Sequence, residues 1–383
     1  MNTHGKIVRM GMVGGGPNSF IGPVHRMAAE LDGRIALVAG VFSGDAERNR
    51  AAGQGYGLAP ERIYPDVETM LKAEAQRADD INFLSIVTPN HLHHAAAMAA
   101  LQAGVHVMSE KPPTVSLAEA HDIARVAGVS GREYALTYTY AGYPMVREAR
   151  ALCRSGRLGA IRKVAVEYSQ GWLSAAPERE GQKQAAWRTD PAQAGPAGCL
   201  GDIGVHAFHL AEYVSGLRTA KLSSDLNTLV PGRALDDDCN VLLGFGNGAS
   251  GVLMASQIAA GDRNGLRLRI WGERGGLDWS QEQPNVLNVH WLDGPSQVYH
   301  AGAGGLSQEA GRVTRLPTGH PEGFIEALAN LYGDFATMVT GGSLPEREVL
   351  PGIADGVRSM AFIECAIASS QRKQWLPLEE RVT

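Results

Sequence analysis

The sequence predicts an α/β protein with two domains. The N-terminal domain has a doubly wound parallel sheet, and the C-terminal α+β domain has a large, mostly antiparallel, open-faced sheet. A chain of 383 residues exceeds what one hydrophobic core usually serves. Apolar runs alternate with helical patterns in the first part, whereas later strand-like runs are joined only by turns. We place the domains at 1–138 and 139–383, with helices in 324–370 packing back on the body.

Composition and charge exclude several classes of protein. Apolar residues make up 44% of the chain and charged residues 20%, as in ordinary globular proteins. The net charge of −5 and the lack of a basic block exclude nucleic acid as an expected partner. We expect neither a membrane span nor a signal peptide, because the sequence shows neither a long apolar run nor a charged leader. The scattered cysteines predict a cytoplasmic protein without a structural zinc site, and they are Cys153, Cys199, Cys239 and Cys365.

The first predicted strand, residues 6–13, leads through a glycine-rich turn into a helix that opens near residue 23. This order is typical of dinucleotide binding, because glycine lets the backbone approach a pyrophosphate and the helix N-terminus offers free N–H groups. The spacing departs from GxGxxG, since five residues separate Gly16 from Gly22. We assign cofactor contacts in this turn to Gly14, Gly16, Asn18, Ser19, Phe20 and Ile21.

The second predicted strand, residues 35–42, ends where such folds contact the adenosine ribose. An acidic residue there favours NAD, whereas serine and arginine favour NADP. The chain offers Ser43, Asp45 and Arg48 together, so the choice of cofactor stays open, with Ser43 and Arg48 as candidate contacts. Further strands alternate with helices and complete a parallel, right-handed sheet, at 81–87, 105–108 and 134–138.

Two later strand ends carry polar side chains. Strand 105–108 runs into Glu110, Lys111 and two prolines, and proline cannot continue a ladder. Lys111 therefore lies at the carboxyl end of a strand, where open α/β sheets bind ligands. It suits an electrostatic catalyst, although an isolated Glu-Lys pair is also common on solvated surfaces. The strand at 81–87 ends in a second such loop, Thr88-Pro89-Asn90-His91.

A second polar cluster contains Asp202 and His206, which lie four residues apart and would share one face of a helix. Oxidation of an alcohol needs a base, and a histidine oriented by a carboxylate can take the proton. Two alternatives remain open. His206 could be a satisfied core histidine with Asp202 capping the helix, or both could bind a metal with His209. Just upstream, Trp187 and Arg188 lie in a predicted loop whose groups suit sugars or carboxylates.

Taken together, these blocks resemble the glucose–fructose oxidoreductase and inositol dehydrogenase (Gfo/Idh/MocA) family, over nearly the whole chain. The resemblance rests on the glycine-rich turn with His25 in the next helix, Thr88-Pro89-Asn90-His91, Glu110-Lys111-Pro112, Ser155-Gly156-Arg157-Leu158-Gly159, Trp187-Arg188 and Gly201-Asp202-Ile203-Gly204-Val205-His206. Two departures stand out. The glycine-rich turn has three extra residues before Gly22, and His209 stands where the family often has an acidic residue.

The resemblance implies an N-terminal Rossmann domain and a C-terminal α/β domain whose open sheet often forms an oligomer interface. His206 would be the general acid/base, and Asp202 would hold the substrate or orient His206. Lys111 would lie between nicotinamide and substrate and lower the cost of alkoxide-like charge. Expected further cofactor contacts are Thr88, Pro89, Asn90, His91, Glu110, Lys111, Trp187 and Arg188. Expected substrate contacts are Lys111, Tyr140, Tyr168, Trp172, Asp202, His206 and His209.

The leading hypothesis is an NAD(P)-dependent oxidoreductase that acts on a secondary hydroxyl, or the matching ketone, of a sugar, cyclitol or glycoside. Some relatives use bound NAD for glycoside cleavage by transient oxidation and elimination, and this reaction is the first alternative. The second is a non-enzymatic dinucleotide-sensing regulator, which would not need the base at His206. The expected partners are a small carbohydrate or polyol and further copies of the chain, as a homodimer or homotetramer.

Overall fold

The computed structural model describes residues 7–16, 19–346 and 349–381, and the chain divides into two compact units. The first unit takes in the chain up to Thr114, Ala118–Thr139 and Ile325–Gly356. The second takes in Val115–Leu117, Tyr140–Phe324 and the chain from Val357 onward. The chain therefore crosses between the units more than once, and the simple division at residues 138 and 139 stays a prediction.

The first unit contains a five-stranded sheet in the order β2-β1-β3-β4-β5, and every neighbouring pair is parallel. The strands are β1 (Val8–Gly14), β2 (Ile35–Val41), β3 (Phe83–Val87), β4 (His106–Ser109) and β5 (Tyr134–Leu136). This order confirms the predicted parallel sheet and puts its switch point between β1 and β3. The predicted last strand was too long, because the Tyr138 N–H turns back to the Leu136 carbonyl at 2.9 Å.

Five helices alternate with these strands, and a sixth comes from late in the chain. They are α1 (Ile21–Glu30), α2 (Ala46–Gly55), α3 (Val67–Glu74), α4 (His93–Gln102), α5 (Leu117–Ser130) and the late helix α11 (Phe324–Val339). The side chains of Asp45 and Asp66 cap α2 and α3 by accepting backbone N–H bonds. The rings of Phe83 in β3 and Phe335 in α11 pack edge to face, with centroids 5.1 Å apart. The late helix thus belongs to the core of this sheet.

Glycines set how closely the first strand, the turn and the first helix pack. Gly14 has φ +91°, and a Cβ there would lie 2.5 Å from the Val87 carbonyl oxygen. A Cβ on Gly22 would lie 2.3 Å from the Gly15 Cα. Gly22 therefore serves as the third glycine of the fingerprint, the one that lets the helix pack on the turn, despite the longer spacing.

The second unit contains a nine-stranded sheet in the order β13-β12-β11-β10-β6-β9-β8-β7-β14. Only β6 and β9 pair in parallel, so the sheet is mostly antiparallel, as predicted. The strands are β6 (Ile161–Ser169), β7 (Thr219–Asn227), β8 (Asp238–Phe245), β9 (Ser250–Ser256), β10 (Gly265–Gly272), β11 (Gly275–Ser280), β12 (Val286–Trp291), β13 (Gln297–His300) and β14 (Leu376–Pro377). The sequence pattern did not indicate β11, β13 or β14.

The helices that accompany this sheet are α6 (Pro144–Arg154), α7 (Lys183–Arg188), α8 (Pro191–Ala194), α9 (Val205–Ser215), α10 (Gln308–Arg312) and α12 (Ile353–Arg372). Of these, α6 contacts β11 and β12, and α9 packs on β6, β9 and β10. Side chains alternate along β8, where Val241 and Leu243 are buried while Leu242 is 51% exposed. This alternation is what an open-faced sheet requires.

Two further properties concern the helices and the cysteines. Among the residues described, no helix is long and apolar enough to cross a membrane. All four cysteines carry free thiols, and Cys153, Cys199 and Cys239 are buried. The cytoplasmic location stays a prediction.

The packing of Gly22 can be tested by a substitution, with a matched control glycine in another helix. In Gly22→Ala the new methyl group meets backbone, which has no rotamer to change, so we expect a loss of about 1–3 kcal/mol of stability and weaker binding of the expected dinucleotide. In Gly128→Ala, within α5, the new Cβ has no neighbour within 4 Å. That variant should be neutral or stabilised by up to about 1 kcal/mol. Thermal unfolding and titration with NADH and with NADPH measure the two effects, and equal behaviour of the two variants would contradict the packing role.

Candidate active site

The glycine-rich turn and the Thr88 loop lie together at the carboxyl ends of β1 and β3. Their backbones touch where Gly14 packs on Val87. Ligands of open α/β sheets bind at this edge, beside the switch point. Thr88 and Pro89 are partly exposed, Asn90 is buried in a short 3-10 turn, and His91 is exposed.

The start of α1 suits an anionic ligand. Its first turn contains no acidic residue, and a helix N-terminus favours negative charge. A Cβ on Gly16 would lie 2.3 Å from the Phe42 carbonyl oxygen, so this turn is closed to larger residues. Ser19 closes it locally, since its N–H donates to the Gly16 carbonyl at 3.0 Å. Phe20 is 68% exposed and Ile21 opens the helix, while Asn18 lies outside the described residues.

The end of β2 presents Ser43 and Asp45 in a local hydrogen-bonded turn. The Asp45 N–H donates to Ser43 Oγ at 3.1 Å, and the Asp45 carboxylate accepts the Arg48 N–H at 2.8 Å. Asp45 is thus engaged as a helix cap, and the Arg48 side chain is exposed. The arrangement does not choose between the two dinucleotides.

Glu110, directly after β4, is the centre of a hydrogen-bond network within the first unit. Its Oε1 accepts from His25 Nε2 at 2.8 Å and from Thr137 Oγ1 at 2.5 Å. His25 is fully buried, and its Nδ1 lies 2.6 Å from the hydroxyl of Tyr332 in α11. That hydroxyl lies 2.9 Å from Ser85 Oγ in β3. The network thus joins α1, β3 and the late helix to the end of β4.

The charge of Glu110 is stabilised by this network. Burial raises the pKa of Glu110, but the hydrogen bonds from His25 and Thr137 and the charge of Lys111 outweigh burial and lower it to about 2. Glu110 is therefore a carboxylate at neutral pH. Lys111 follows it, is partly exposed, and is joined to Pro112 by a cis peptide bond. An anchored anion thus stands beside the candidate catalytic lysine in the chain.

In the second unit, Asp202 does not lie on the same regular helix as His206. It lies in a π-helical turn, Leu200–Gly204, that leads into α9. The expectation that both residues share one face of an α-helix is therefore wrong in detail, because the wider turn changes the angle between their positions. The Asp202 carboxylate accepts from Arg188 Nε at 3.0 Å and from Gln257 Nε2 at 2.8 Å.

His206 is 9% exposed and lies among aromatic rings. Its ring centroid is 4.9 Å from that of Tyr140 and 6.3 Å from that of Tyr168. His209, one turn further along α9, is also buried and stacks on Tyr213 with centroids 5.4 Å apart. Among the described residues no group of three or more His, Cys, Asp or Glu side chains is placed to hold a metal ion.

A hydrogen-bonded chain of side chains begins beside His206. Tyr140 and Tyr168 bond through their hydroxyls, and Tyr168 donates to Asn264 Oδ1 at 2.7 Å. Because that oxygen can only accept, the Tyr140 hydroxyl must donate to Tyr168. Gln170 donates to the same oxygen at 2.8 Å and accepts from Trp172 Nε1 at 3.0 Å. Three of the predicted substrate contacts, Tyr140, Tyr168 and Trp172, therefore lie in one continuous polar strip.

Trp187 and Arg188 end the short helix α7, so the prediction of a loop at this point was wrong. Gln182 caps this helix by accepting the Ala185 N–H, which explains how so short a segment becomes helical. The Arg188 guanidinium lies 4.2 Å from the Trp187 ring centroid and 5.9 Å from that of Trp172. Arg188 thus connects Asp202 to Trp172, which belongs to the polar strip.

The comparisons with known proteins agree with this geometry. Residues 8–138 match the oxidoreductase family with an NAD-binding Rossmann fold (GFO/IDH/MocA), and residues 146–278 match the GFO/IDH/MocA C-terminal domain. The chain belongs to the Gfo/Idh/MocA oxidoreductase family. This membership confirms the resemblance drawn from the motifs, the NAD-binding Rossmann domain and the oxidoreductase class.

Several known proteins are similar to this chain along nearly its whole length. The uncharacterized oxidoreductase YfiI of Bacillus subtilis is 36% identical over 383 residues, with 97% of each chain covered. An inositol dehydrogenase homologue complexed with NAD+, from Azotobacter vinelandii, matches with a TM-score of 0.92 at 38% identity and 97% coverage of both chains. An inositol dehydrogenase homologue from the same organism, complexed with NADH and myo-inositol, gives 0.89 at 36% identity, covering 97% of this chain and 98% of that one.

Several residues of the candidate site could not be identified from the sequence. Gln257 braces Asp202 from the end of β9, and Asn264 and Gln170 connect the tyrosine pair to Trp172. Tyr332 reaches His25 across 307 positions of the chain. The amides occur singly beside strand ends and form no motif, so only the strand pairing could have revealed them.

The low pKa of Glu110 predicts how its contribution to stability depends on pH. Because this pKa falls from an unfolded value of 4.5 to about 2, the contribution is present above pH 4.5 and is lost as the pH falls towards 2. In Glu110→Gln we expect a loss of about 1–3 kcal/mol at neutral pH, shrinking over that interval. Urea unfolding at a series of pH values measures the difference. The exposed Glu61→Gln is the control, and a pH-independent gap would contradict the assignment.

Proposed function

We propose that this protein is an NAD-dependent dehydrogenase that oxidises a secondary hydroxyl of a cyclic polyol, a cyclitol or a sugar, and reduces the matching ketone in reverse. The observation that carries the proposal is that one chain contains Lys111 just after a strand of the dinucleotide-binding unit and a buried His206 four residues after Asp202, whose carboxylate is held by Arg188. Further support comes from the inositol dehydrogenase homologues, whose structures contain NAD+ in one case and NADH with myo-inositol in the other.

The cofactor proposal rests on the fit of the glycine-rich turn. Gly14, Gly16 and Gly22 leave room only for hydrogen at their α-carbons, and α1 begins without an acidic side chain. We propose that the backbone N–H groups at this start hold the pyrophosphate. NAD is favoured over NADP because the structure at 38% identity contains NAD+. When bound, the nicotinamide ring takes up or returns the hydride.

The catalytic roles follow from the charges of the side chains and from which of them can accept or donate a proton. In oxidation, the proton of the substrate hydroxyl passes to a ring nitrogen of His206 while the carbinol C–H bond breaks. The Lys111 ammonium stabilises the negative charge that develops on the substrate oxygen. Asp202, held by Arg188 and Gln257, keeps its carboxylate oriented and favours the imidazolium that forms. The polar strip from Tyr140 to Trp172 binds substrate hydroxyls and ring faces.

We also propose that the protein works as a homodimer or homotetramer. Large side chains stand on the open face of the nine-stranded sheet, where Leu242 is 51% exposed and Trp271 38%. A second copy would cover them. Light scattering should give a mass of two or four chains, and a monomer at micromolar concentration would contradict this proposal.

The catalytic proposal predicts a sharp loss of turnover at two positions. With myo-inositol and a panel of cyclic polyols and sugars, NADH formation should fall by about 10²–10⁴-fold in Lys111→Ala and in His206→Ala. Lys72→Ala, at a lysine whose side chain is 81% exposed, is the control and should keep full activity. Folding is checked by circular dichroism. Turnover that survives in Lys111→Ala, or a wild type that prefers NADP by tenfold or more, would overturn the corresponding part of the proposal.

A further inference from the structure

One buried histidine meets two strand-end loops at once. His93, the first residue of α4, is fully buried. Its Nδ1 lies 2.8 Å from the Pro112 carbonyl oxygen, and its Nε2 lies 2.9 Å from the Thr88 carbonyl oxygen. Both distances are those of good hydrogen bonds. A single imidazole ring thus spans the loop after β3 and the loop after β4.

Both partners of His93 are carbonyl oxygens, which can only accept. Every hydrogen bond here therefore uses a proton of the imidazole, one in the neutral ring and two in the imidazolium. Burial lowers the pKa of His93, whereas the bonds to Pro112 and Thr88 oppose that shift. A neutral imidazole donates to one of the two carbonyls at a time, and the imidazolium donates to both, whereas an apolar ring at this position could hold neither.

The Pro112 bond acts on the residue beside it. Lys111 is preceded by Glu110, whose carboxylate accepts from His25 and Thr137. It is followed by Pro112, whose carbonyl faces His93. The backbone of Lys111 is therefore anchored on both sides by hydrogen bonds, which are partly buried at Glu110 and buried at Pro112. Such anchoring is what a charge needs in order to act at a defined place in a reaction.

The Thr88 bond acts on the other loop. Thr88 follows Val87, whose carbonyl packs against Gly14 at the switch point. The loop that continues to His91 stands at the strand edge where the cofactor is proposed to bind. The Nε2 bond therefore fixes the start of this loop, while the Nδ1 bond fixes the end of the lysine segment.

We propose that His93 is a positioning residue, which sets the place of Lys111 through the Pro112 carbonyl and the shape of the cofactor loop through the Thr88 carbonyl. The inference rests on the proposed dehydrogenase function and deepens it. The two bonds should therefore affect different properties of the enzyme. Cofactor affinity depends on the Nε2 bond, and turnover depends on the Nδ1 bond.

Three variants of the full-length protein separate the two bonds. The amide nitrogen of His93→Asn replaces Nδ1 as donor, that of His93→Gln replaces Nε2, and His93→Phe keeps a ring with no donor. His94→Gln makes the same change one residue later, at a partly exposed histidine of the same helix, and is the control. The readouts are the Kd for NADH from fluorescence titration, kcat with the best polyol, and the rate at which trinitrobenzenesulfonate labels Lys111, followed by peptide mass spectrometry.

We expect about tenfold weaker NADH binding in His93→Asn and about tenfold lower kcat with altered Lys111 labelling in His93→Gln, each for one lost buried hydrogen bond. His93→Phe should show both effects, and His94→Gln should stay within about twofold of wild type. Asn and Gln variants that fold normally and change all readouts equally, or none, would overturn the positioning role. If His93→Phe fails to fold, the Asn and Gln pair still decides.

The same experiment distinguishes the inference from the proposed function. NADH affinity and Lys111 labelling need no substrate. If wild type turns over no polyol or sugar but these two readouts still separate between the Asn and Gln variants, the dehydrogenase assignment fails and the positioning role stands. If wild type is active and the readouts do not separate, the positioning role fails alone.

Discussion

The contact of Gly14 with the backbone of Val87 is the constraint on which the rest of the first unit depends. It brings the carboxyl ends of β1 and β3 so close that no side chain fits between them. The glycine-rich turn, the Thr88 loop and the Glu110-Lys111 segment then all emerge at one edge of the sheet. Parallel sheets with this order bind ligands at that edge, so the packing of Gly14 on Val87 defines the edge at which we propose that the cofactor binds.

Both units use the same device to present a charged group. In the first, Glu110 is kept ionised by His25 and Thr137, and Lys111 follows it in the chain. In the second, Asp202 is held by Arg188 and Gln257. A buried or half-buried charge is costly unless it is paired and hydrogen-bonded. The hydrogen-bonding side chains therefore offset the free-energy cost of burying these charges. They also hold the charged groups in fixed orientations, which a preorganised active site requires.

Much of this architecture could be predicted because it is local. Alternating strand and helix patterns predicted the parallel sheet, and short linked strands predicted the antiparallel one. The rest depends on long-range contacts. The bond between Tyr332 and His25 joins positions far apart in the chain, and no periodicity indicates it. The π-helical turn at Asp202 and the six-residue helix ending at Arg188 arise from hydrogen bonds that hydrophobic patterning does not encode.

In the proposed reaction, hydride passes directly from a ring carbon of a polyol to the nicotinamide. The most direct measurement incubates wild-type protein with NAD+ and myo-inositol deuterated at its ring carbons, and then determines the isotope content of the recovered dinucleotide by mass spectrometry. Direct transfer should give NADH that carries one deuterium, formed together with a ketone product. Recovered NADH that contains only protium, or no NADH with any cyclic polyol or sugar, would contradict it.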